Sequence, residues 1–278
     1  MKIHVFETGR LRSNRTFMRA QAWAPGLLKR RIDVQFPVYS FLIEHPEGMF
    51  AIDTGLGRRV HVPAWQRRFV PTVVSDPLTM DEAMLRRGLD PATVSRVILT
   101  HLDWDHVGAV DRFPCAEVLV HRPEYESSTG RLGALRYQTQ AWPPGFSPTL
   151  YDLSPRPFGP FPASLALTEE GDVRVVPLPG HSEGQVGVVV STGDATLVFA
   201  ADHVLRRDWF LEDHAAGRLL GLGIFNPRHA QDTSRRLHRF VEETGAVLLP
   251  SHDDEVPGRL AAVVRSDLAS GSASSRRG

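Results

Sequence analysis

Cysteine is almost missing from this chain: among 278 residues, Cys115 stands alone. A single cysteine excludes an internal disulfide framework and any cysteine-based zinc cluster, so a bound metal would have to be held by histidine and carboxylate. Excess charge of either sign is also lacking. Lys plus Arg number 32 and Asp plus Glu number 32, so the overall charge gives no sign of a nucleic-acid track or an anionic membrane surface as partner. No segment offers the roughly 18 uninterrupted apolar residues of a membrane span. The opening "MKIHVFETG" alternates like a strand and lacks the apolar stretch of a signal peptide. These absences lead to the expectation of a soluble, cytoplasmic protein acting on a small molecule, with no nucleic acid or membrane partner.

What is present is a succession of short apolar runs bounded by Gly, Pro, Asp or Ser: "IHVFETG", "VYSFLIEHPEGMFAIDTG", "VSRVILTH", "AEVLVHRPE", "VRVVPLPGH", "VGVVVSTGDATLVFAAD" and "AVLLPSHD". They read as strands. Phe41 to Ile52 folds back at "HPEG" and Val186 to Ala200 at "STGD", both with hairpin turn chemistry. Helical patterns cover "DPLTMDEAMLRRGL", the stretch after Asp105, and "NPRHAQDTSRRLHRFVEETG", which opens on Asn-Pro and stops at Gly245. Strands this apolar need cover on both faces, so the expected class is α/β, with helices outside two packed sheets.

The length fits one large domain, expected over residues 1–265, with the small, polar "SDLASGSASSRRG" of 266–278 as a flexible tail. Between about residues 122 and 170 the periodic pattern gives way to Pro, Gly and aromatics. Trp142, Phe146, Tyr151, Phe158 and Phe161 argue against disorder, and the expectation is an ordered cap over a pocket.

The chemistry concentrates in "THLDWDHVGA", residues 100–109, directly after the run "VSRVIL". Side chains alternate along a strand, and a chain coiling away from its end can converge positions i, i+2, i+4 and i+5 on one point. His101, Asp103, Asp105 and His106 have that spacing. Any one of them could be a solvated polar residue, or a helix cap in the case of Asp105. Three further runs, however, end in the same way: "VVPLPGH" on His181, "TLVFAAD" on Asp202 and "VLLPSH" on His252. Strand ends are where α/β sheets build sites.

In order and spacing "AIDTG", "THLDWDHVG", "PGHSEGQVG", "FAAD" and "PSH" resemble the five motifs of the metallo-β-lactamase superfamily, over roughly residues 35 to 255. The resemblance implies an αββα sandwich of two mixed β-sheets flanked by helices, with two divalent metal ions at one edge. It implies that His101, position 103 and His181 hold the first ion, that Asp105, His106 and His252 hold the second, and that Asp202 bridges them. Asp105 and Asp202 are the expected catalytic carboxylates. Asp53 matches a residue that orients the ligands from behind, a role metal sites require. His203 is a further candidate for that role, although neighbouring side chains usually point in opposite directions.

Position 103 departs from the family pattern His-x-His-x-Asp-His. Aspartate there makes three carboxylates, with Asp105 and Asp202, against the four positive charges of two divalent ions. Zinc is the expected metal, with iron or manganese the alternative because Asp103 adds an oxygen donor. A carboxylate at this position also resembles the flavodiiron branch, although the flavin-binding domain of that branch is lacking.

The implied reaction is hydrolysis by a metal-activated water. The "PVYSFLIEHPEGMFAIDTGL" opening, "HRPEYE" and the approach to His181 look like the acyl-homoserine lactone lactonases, which implies opening of a lactone or related ester. Those enzymes commonly carry Tyr three positions after the bridging Asp, where this chain has Leu205. Leu205, Trp142, Phe146 and His229 are the candidate substrate-binding residues. Other superfamily hydrolases (thioesterase or glyoxalase II-like, β-lactamase-like, phosphodiesterase), a non-haem di-iron redox protein and a catalytically impaired metal-binding protein stay open, and a homodimer is compatible with the sequence. Cys115 is expected to be a buried thiol rather than a nucleophile. His4, His45, His61 and His238 are read as surface or turn residues, and His121 as a strand end near the cap.

Overall fold

The N-terminal alternation becomes β1 (Lys2–Ser13), which runs antiparallel to β2 (Val34–His45) with a register shift between Glu7 and Gly9. The computed structural model describes residues 1–13, 34–58, 73–75, 77–131, 133, 137, 139, 142–211 and 227–263. β2 turns back through Pro46 and Glu47 into β3 (Gly48–Ile52), pairing Phe41 with Ile52 as the hairpin signal requires. With β4 (Val73–Ser75), β5 (Val94–Leu99), β6 (Glu117–His121) and β7 (Thr149–Tyr151), these form a seven-stranded mixed sheet in the order β4-β1-β2-β3-β5-β6-β7. The second sheet has five strands in the order β12-β11-β10-β9-β8. They are β8 (Leu165–Ala166), β9 (Val173–Pro177), β10 (Val186–Ser191), β11 (Thr196–Ala201) and β12 (Val247–Pro250).

Period-two alternation sorts the apolar residues into layers. Tyr39, Phe41 and Ile43 of β2 point between the sheets, where they meet Val186, Val188 and Phe199. The rings of Phe41 and Phe199 lie 4.7 Å apart and join the two sheets directly. Truncating either to Ala would cost about 3–5 kcal/mol. Leu42 points the other way, with Met80 and Met84 of α1 (Met80–Leu85) on the outer face of the first sheet. Val176, Val189 and Val198 bury the outer face of the second sheet under Leu237 and Phe240 of α4 (Pro227–Thr244), joined by Phe210 of α3 (Arg207–Leu211). The expected order of layers is thus present: helix, sheet, sheet, helix.

Two expectations meet a different outcome. The stretch after Asp105 makes one turn, with His106 and Val107 amides on the Asp103 carbonyl, and then only a 3-10 turn at Val110–Arg112. An α-helix cannot propagate there because the Gly108 amide is taken by the Gly55 carbonyl and Val107 bridges to Gly55. Cys115 is exposed, in the turn leading to β6, while Phe113 takes the buried position beside it. The described part of the aromatic-rich stretch 122–170 runs along the edges of the sandwich. It opens as α2 (Arg122–Thr129), contributes β7 to one sheet and β8 to the other, and packs Phe158 and Phe161 on Phe240. The tail 266–278 and His61 lie outside the described residues. Among those described, no helix is long and apolar enough to cross a membrane.

Candidate metal centre

Five strand ends deliver the expected residues to one edge of the sandwich. Asp53 follows β3, His101 to His106 follow β5, His181 follows β9, Asp202 follows β11 and His252 follows β12. The pairs β3–β5 and β11–β12 are parallel, so their C-terminal ends open on the same side. Asp53 (φ 54°) and Ala201 (φ 46°) are the non-glycine residues with positive φ among those described. Both occur where the chain leaves a strand for the site. Such backbone costs about 1–3 kcal/mol each and persists where the surroundings over-determine it.

Three donor sets cross at this edge, each with ligand atoms within 4.8 Å of one another: His101, Asp103 and His181; Asp105, His106 and His252; and His101, His106 and Asp202. The third set takes one histidine from each of the others and adds Asp202. One Asp202 oxygen, Oδ1, lies 3.1 Å from both His106 Nε2 and His252 Nε2, while Oδ2 lies 3.8 Å from His181 Nε2. Asp103 Oδ2 is 2.8 Å from His181 Nε2 and 3.5 Å from His101 Nε2, and Asp105 Oδ2 is 3.7 Å from His252 Nε2.

The donors fit a cation better than they fit one another. His101 Nε2, His106 Nε2 and Asp202 Oδ1 are buried without a hydrogen-bond partner, although His106 and Asp202 approach within 3.1 Å. Short separation without hydrogen-bond alignment, repeated at three buried polar atoms, calls for an ion among them. The electrostatics agree. Burial works against a charge on His106, but Asp202 and Asp53 outweigh it and raise its pKa well above the ordinary value. For His252 too, burial opposes the charge and Asp202 prevails, raising the pKa. Burial raises the pKa of Asp105 against the opposing pull of His106 and His252, with the Asp202 and Asp103 carboxylates adding to the rise. A field that strong in favour of positive charge attracts a metal ion as readily as a proton.

The histidines are aimed from behind. Asp53 accepts the Thr100 amide at 2.8 Å on Oδ1, and on Oδ2 the Thr100 hydroxyl at 2.7 Å and His106 Nδ1 at 2.7 Å. His252 Nδ1 lies 2.8 Å from the Pro37 carbonyl. Assigning the ring proton to Nδ1 in both turns the Nε2 lone pairs into the site. Gln185 donates to the Ala200 carbonyl at 3.3 Å, supporting the turn into Asp202.

Other candidates are placed elsewhere. His203 is buried and turned to Ser234 of α4 at 3.0 Å; burial pushes its pKa down to about 3 and keeps the ring neutral. Trp142 stacks on Tyr125 and lies tilted against Phe146 on the outer face of the first sheet, away from the layer between the sheets. The His229 side chain is half exposed and faces Glu183 at 3.8 Å. Leu205 joins an apolar cluster with Phe36, Val38, Leu56 and Trp104, and the Phe36 ring is 6.0 Å from that of His252. Trp104 and Phe36 escaped the sequence reading, although Trp104 sits within the motif that drew attention.

Residues 33–252 match the family model of the metallo-beta-lactamase superfamily, and the chain belongs to that superfamily. A probable metallo-hydrolase of Mycobacterium tuberculosis is 28% identical over 179 residues, which are 60% of this chain and 56% of that protein. The match thus spans little more than half of that relative. An N-acyl homoserine lactonase of Azorhizobium caulinodans is 29% identical over 238 residues, covering 80% of this chain and 84% of its own. A solved N-acyl homoserine lactone hydrolase, with the product N-hexanoyl-L-homoserine at its catalytic metal center, shares the fold. Its TM-score is 0.69 at 20% identity, over 91% of this chain and 94% of its own.

Proposed function

We propose that this chain is a metal-dependent hydrolase that opens lactones of the N-acyl homoserine type or closely related esters. The observation that carries the reading is the crossing of the three donor sets, with Asp202 turning one oxygen toward His106 and His252 and the other toward His181. In this reading His101, Asp103 and His181 hold one divalent ion, Asp105, His106 and His252 hold a second, and Asp202 is shared. Zinc is the proposed metal, with iron or manganese the alternative that Asp103 favours. Bound there, the ions supply Lewis acidity toward the ester carbonyl and make water acidic enough to act as a nucleophile near neutral pH.

The chain's own residues account for orientation and selectivity. Asp53 and the Pro37 carbonyl hold His106 and His252 in the tautomer that offers Nε2 inward. Phe36, Trp104 and Leu205 make an apolar flank beside the donors, suited to an acyl chain and able to exclude bulk water. The lactonase names of the relatives support the lactone, and the apolar flank supports the acyl portion. Ring opening adds one water across the ester C–O bond and releases one proton at neutral pH.

The test is a pH-indicator screen over N-acyl homoserine lactones, thioesters and phosphodiesters, with metal analysis of protein purified without added metal. Acidification with lactones that stops on chelation and returns with zinc is the expected result. No rate above background with any lactone, from metal-loaded protein, would overturn the lactonase reading. Asp103 favours one second reading, a non-haem di-iron redox protein, because its carboxylate stands among the donors at 2.8 Å from His181. That reading requires coloured, iron-loaded protein and no ring opening.

A further inference from the structure

Glu124 is fully buried, lies in the first turn of α2, and plays no part in the mechanism above. Its Oε1 accepts the Leu102 amide at 3.0 Å and its Oε2 accepts the Gly184 amide at 3.1 Å. Leu102 lies between His101 and Asp103, and Gly184 lies three residues beyond His181. The two loops belong to different sheets. A backbone hydrogen bond joins them where the Val186 amide reaches the Thr100 carbonyl at 3.0 Å, and at the site Asp103 Oδ2 lies 2.8 Å from His181 Nε2. Between these two links the Glu124 carboxylate ties a backbone amide of one loop to a backbone amide of the other. A second contact reinforces it: His121 Nδ1 lies 2.8 Å from the Gly184 carbonyl, so both faces of the Gly184 residue are held by the segment 121–124. The approach is close enough that a Cβ on Gly184 would meet the Glu124 backbone nitrogen at 2.0 Å.

We propose that Glu124 is a positioning residue that fixes the distance between the loop of His101 and Asp103 and the loop of His181, and so sets the affinity of the ion those three residues hold. This rests on the metal reading given above. The two amides arrive on different oxygens of one side chain, and a carboxylate presents two acceptor oxygens with no donor. Glutamine offers one acceptor and turns its own N–H toward the other amide. The set Asp105, His106 and His252 takes no residue from the His181 loop, so loss of the clamp falls mainly on the ion of His101, Asp103 and His181.

The test is chelator-competition titration of Glu124→Gln with zinc, alongside amide hydrogen exchange at Leu102, Gly184 and Val186. The expected result is a loss of about 10–100-fold in affinity for one ion, with the other within about threefold. Leu102 and Gly184 should lose protection together while Val186 keeps it. Two ions held at wild-type affinity, both ions weakened alike, or unchanged protection at the two amides would overturn the proposal. If glutamine leaves the chain unfolded, Glu124→Asp, which keeps both acceptors but shortens their reach, is subject to the same criteria. Wild-type protein that takes up no zinc, while the variant still releases both amides together, would sink the metal reading and leave the clamp standing.

Discussion

Asp53 holds His106 Nδ1 at 2.7 Å while the same carboxylate receives the Thr100 amide and hydroxyl, so one side chain at the end of β3 fixes both a donor ring and the start of the loop that carries it. The arrangement crosses 53 positions of sequence between Asp53 and His106 without leaving one sheet edge.

Asp53→Asn keeps the size of the side chain but withdraws one of the two charges, after that of Asp202, that raise the His106 pKa. The expected outcome is a loss of metal affinity of about 10–100-fold. Competition with a chromophoric chelator measures it, and unchanged affinity would remove Asp53 from the site's support.

Asp103→His replaces an oxygen donor with a nitrogen donor beside His101 and His181. Metal content should move toward zinc and away from iron or manganese when the variant and the parent are purified side by side. Elemental analysis reads this without reference to activity. Identical metal profiles would mean that position 103 does not govern selectivity.

Gly57 and Gly108 press backbone on backbone, and a Cβ on Gly57 would stand 2.1 Å from the Gly108 carbonyl oxygen. Gly57→Ala should therefore lower stability by about 1–3 kcal/mol or more, since neither partner is a flexible side-chain end. Gly258 lies in helix α5 (residues 256–263) with nothing within 4 Å of its would-be Cβ. Gly258→Ala should raise stability by up to about 1 kcal/mol. Thermal melts of the pair should move in opposite directions.

Asp172 joins the β8–β9 turn to the tip of the β2–β3 hairpin by accepting from Thr168 on one oxygen and meeting His45 on the other at 3.1 Å. Burial would raise its pKa, but the Thr168 and His45 hydrogen bonds prevail and lower it below the ordinary value of 3.8. A carboxyl with a depressed folded-state pKa adds stability above its unfolded pKa and loses it as pH falls through the folded one. Asp172→Ala should cost about 1–2 kcal/mol at pH 7. The gap between variant and parent should narrow below pH 3.8, and a gap that stays constant under acid would contradict the assignment.

Much of this architecture is legible along the chain because its signals are local. Alternation marks β1 and the hairpins, and "HPEG" fixes the pairing of Phe41 with Ile52. His and Asp at strand ends announce the edge where the donors gather. Tertiary contacts account for what was missed. The helical pattern after Asp105 yields to the hydrogen bond between Gly108 and Gly55, 53 positions apart. Trp142 and Phe146 look like pocket residues by composition, and no local pattern announces that they pack with the cluster on the outer face of the first sheet. Glu124 gives no sign in "HRPEYE" because its partners lie 22 and 60 residues away.

The donors are divided between the two halves of the sandwich: His101 to His106 hang from the larger sheet, and His181, Asp202 and His252 from the smaller one. An ion seated among them would rivet the halves together. Prying the sheets apart would then mean breaking coordination bonds as well as exposing Phe41 and Phe199, so starvation for metal should leave the molecule easier to digest, and proteolysis could gauge metal supply independently of any substrate.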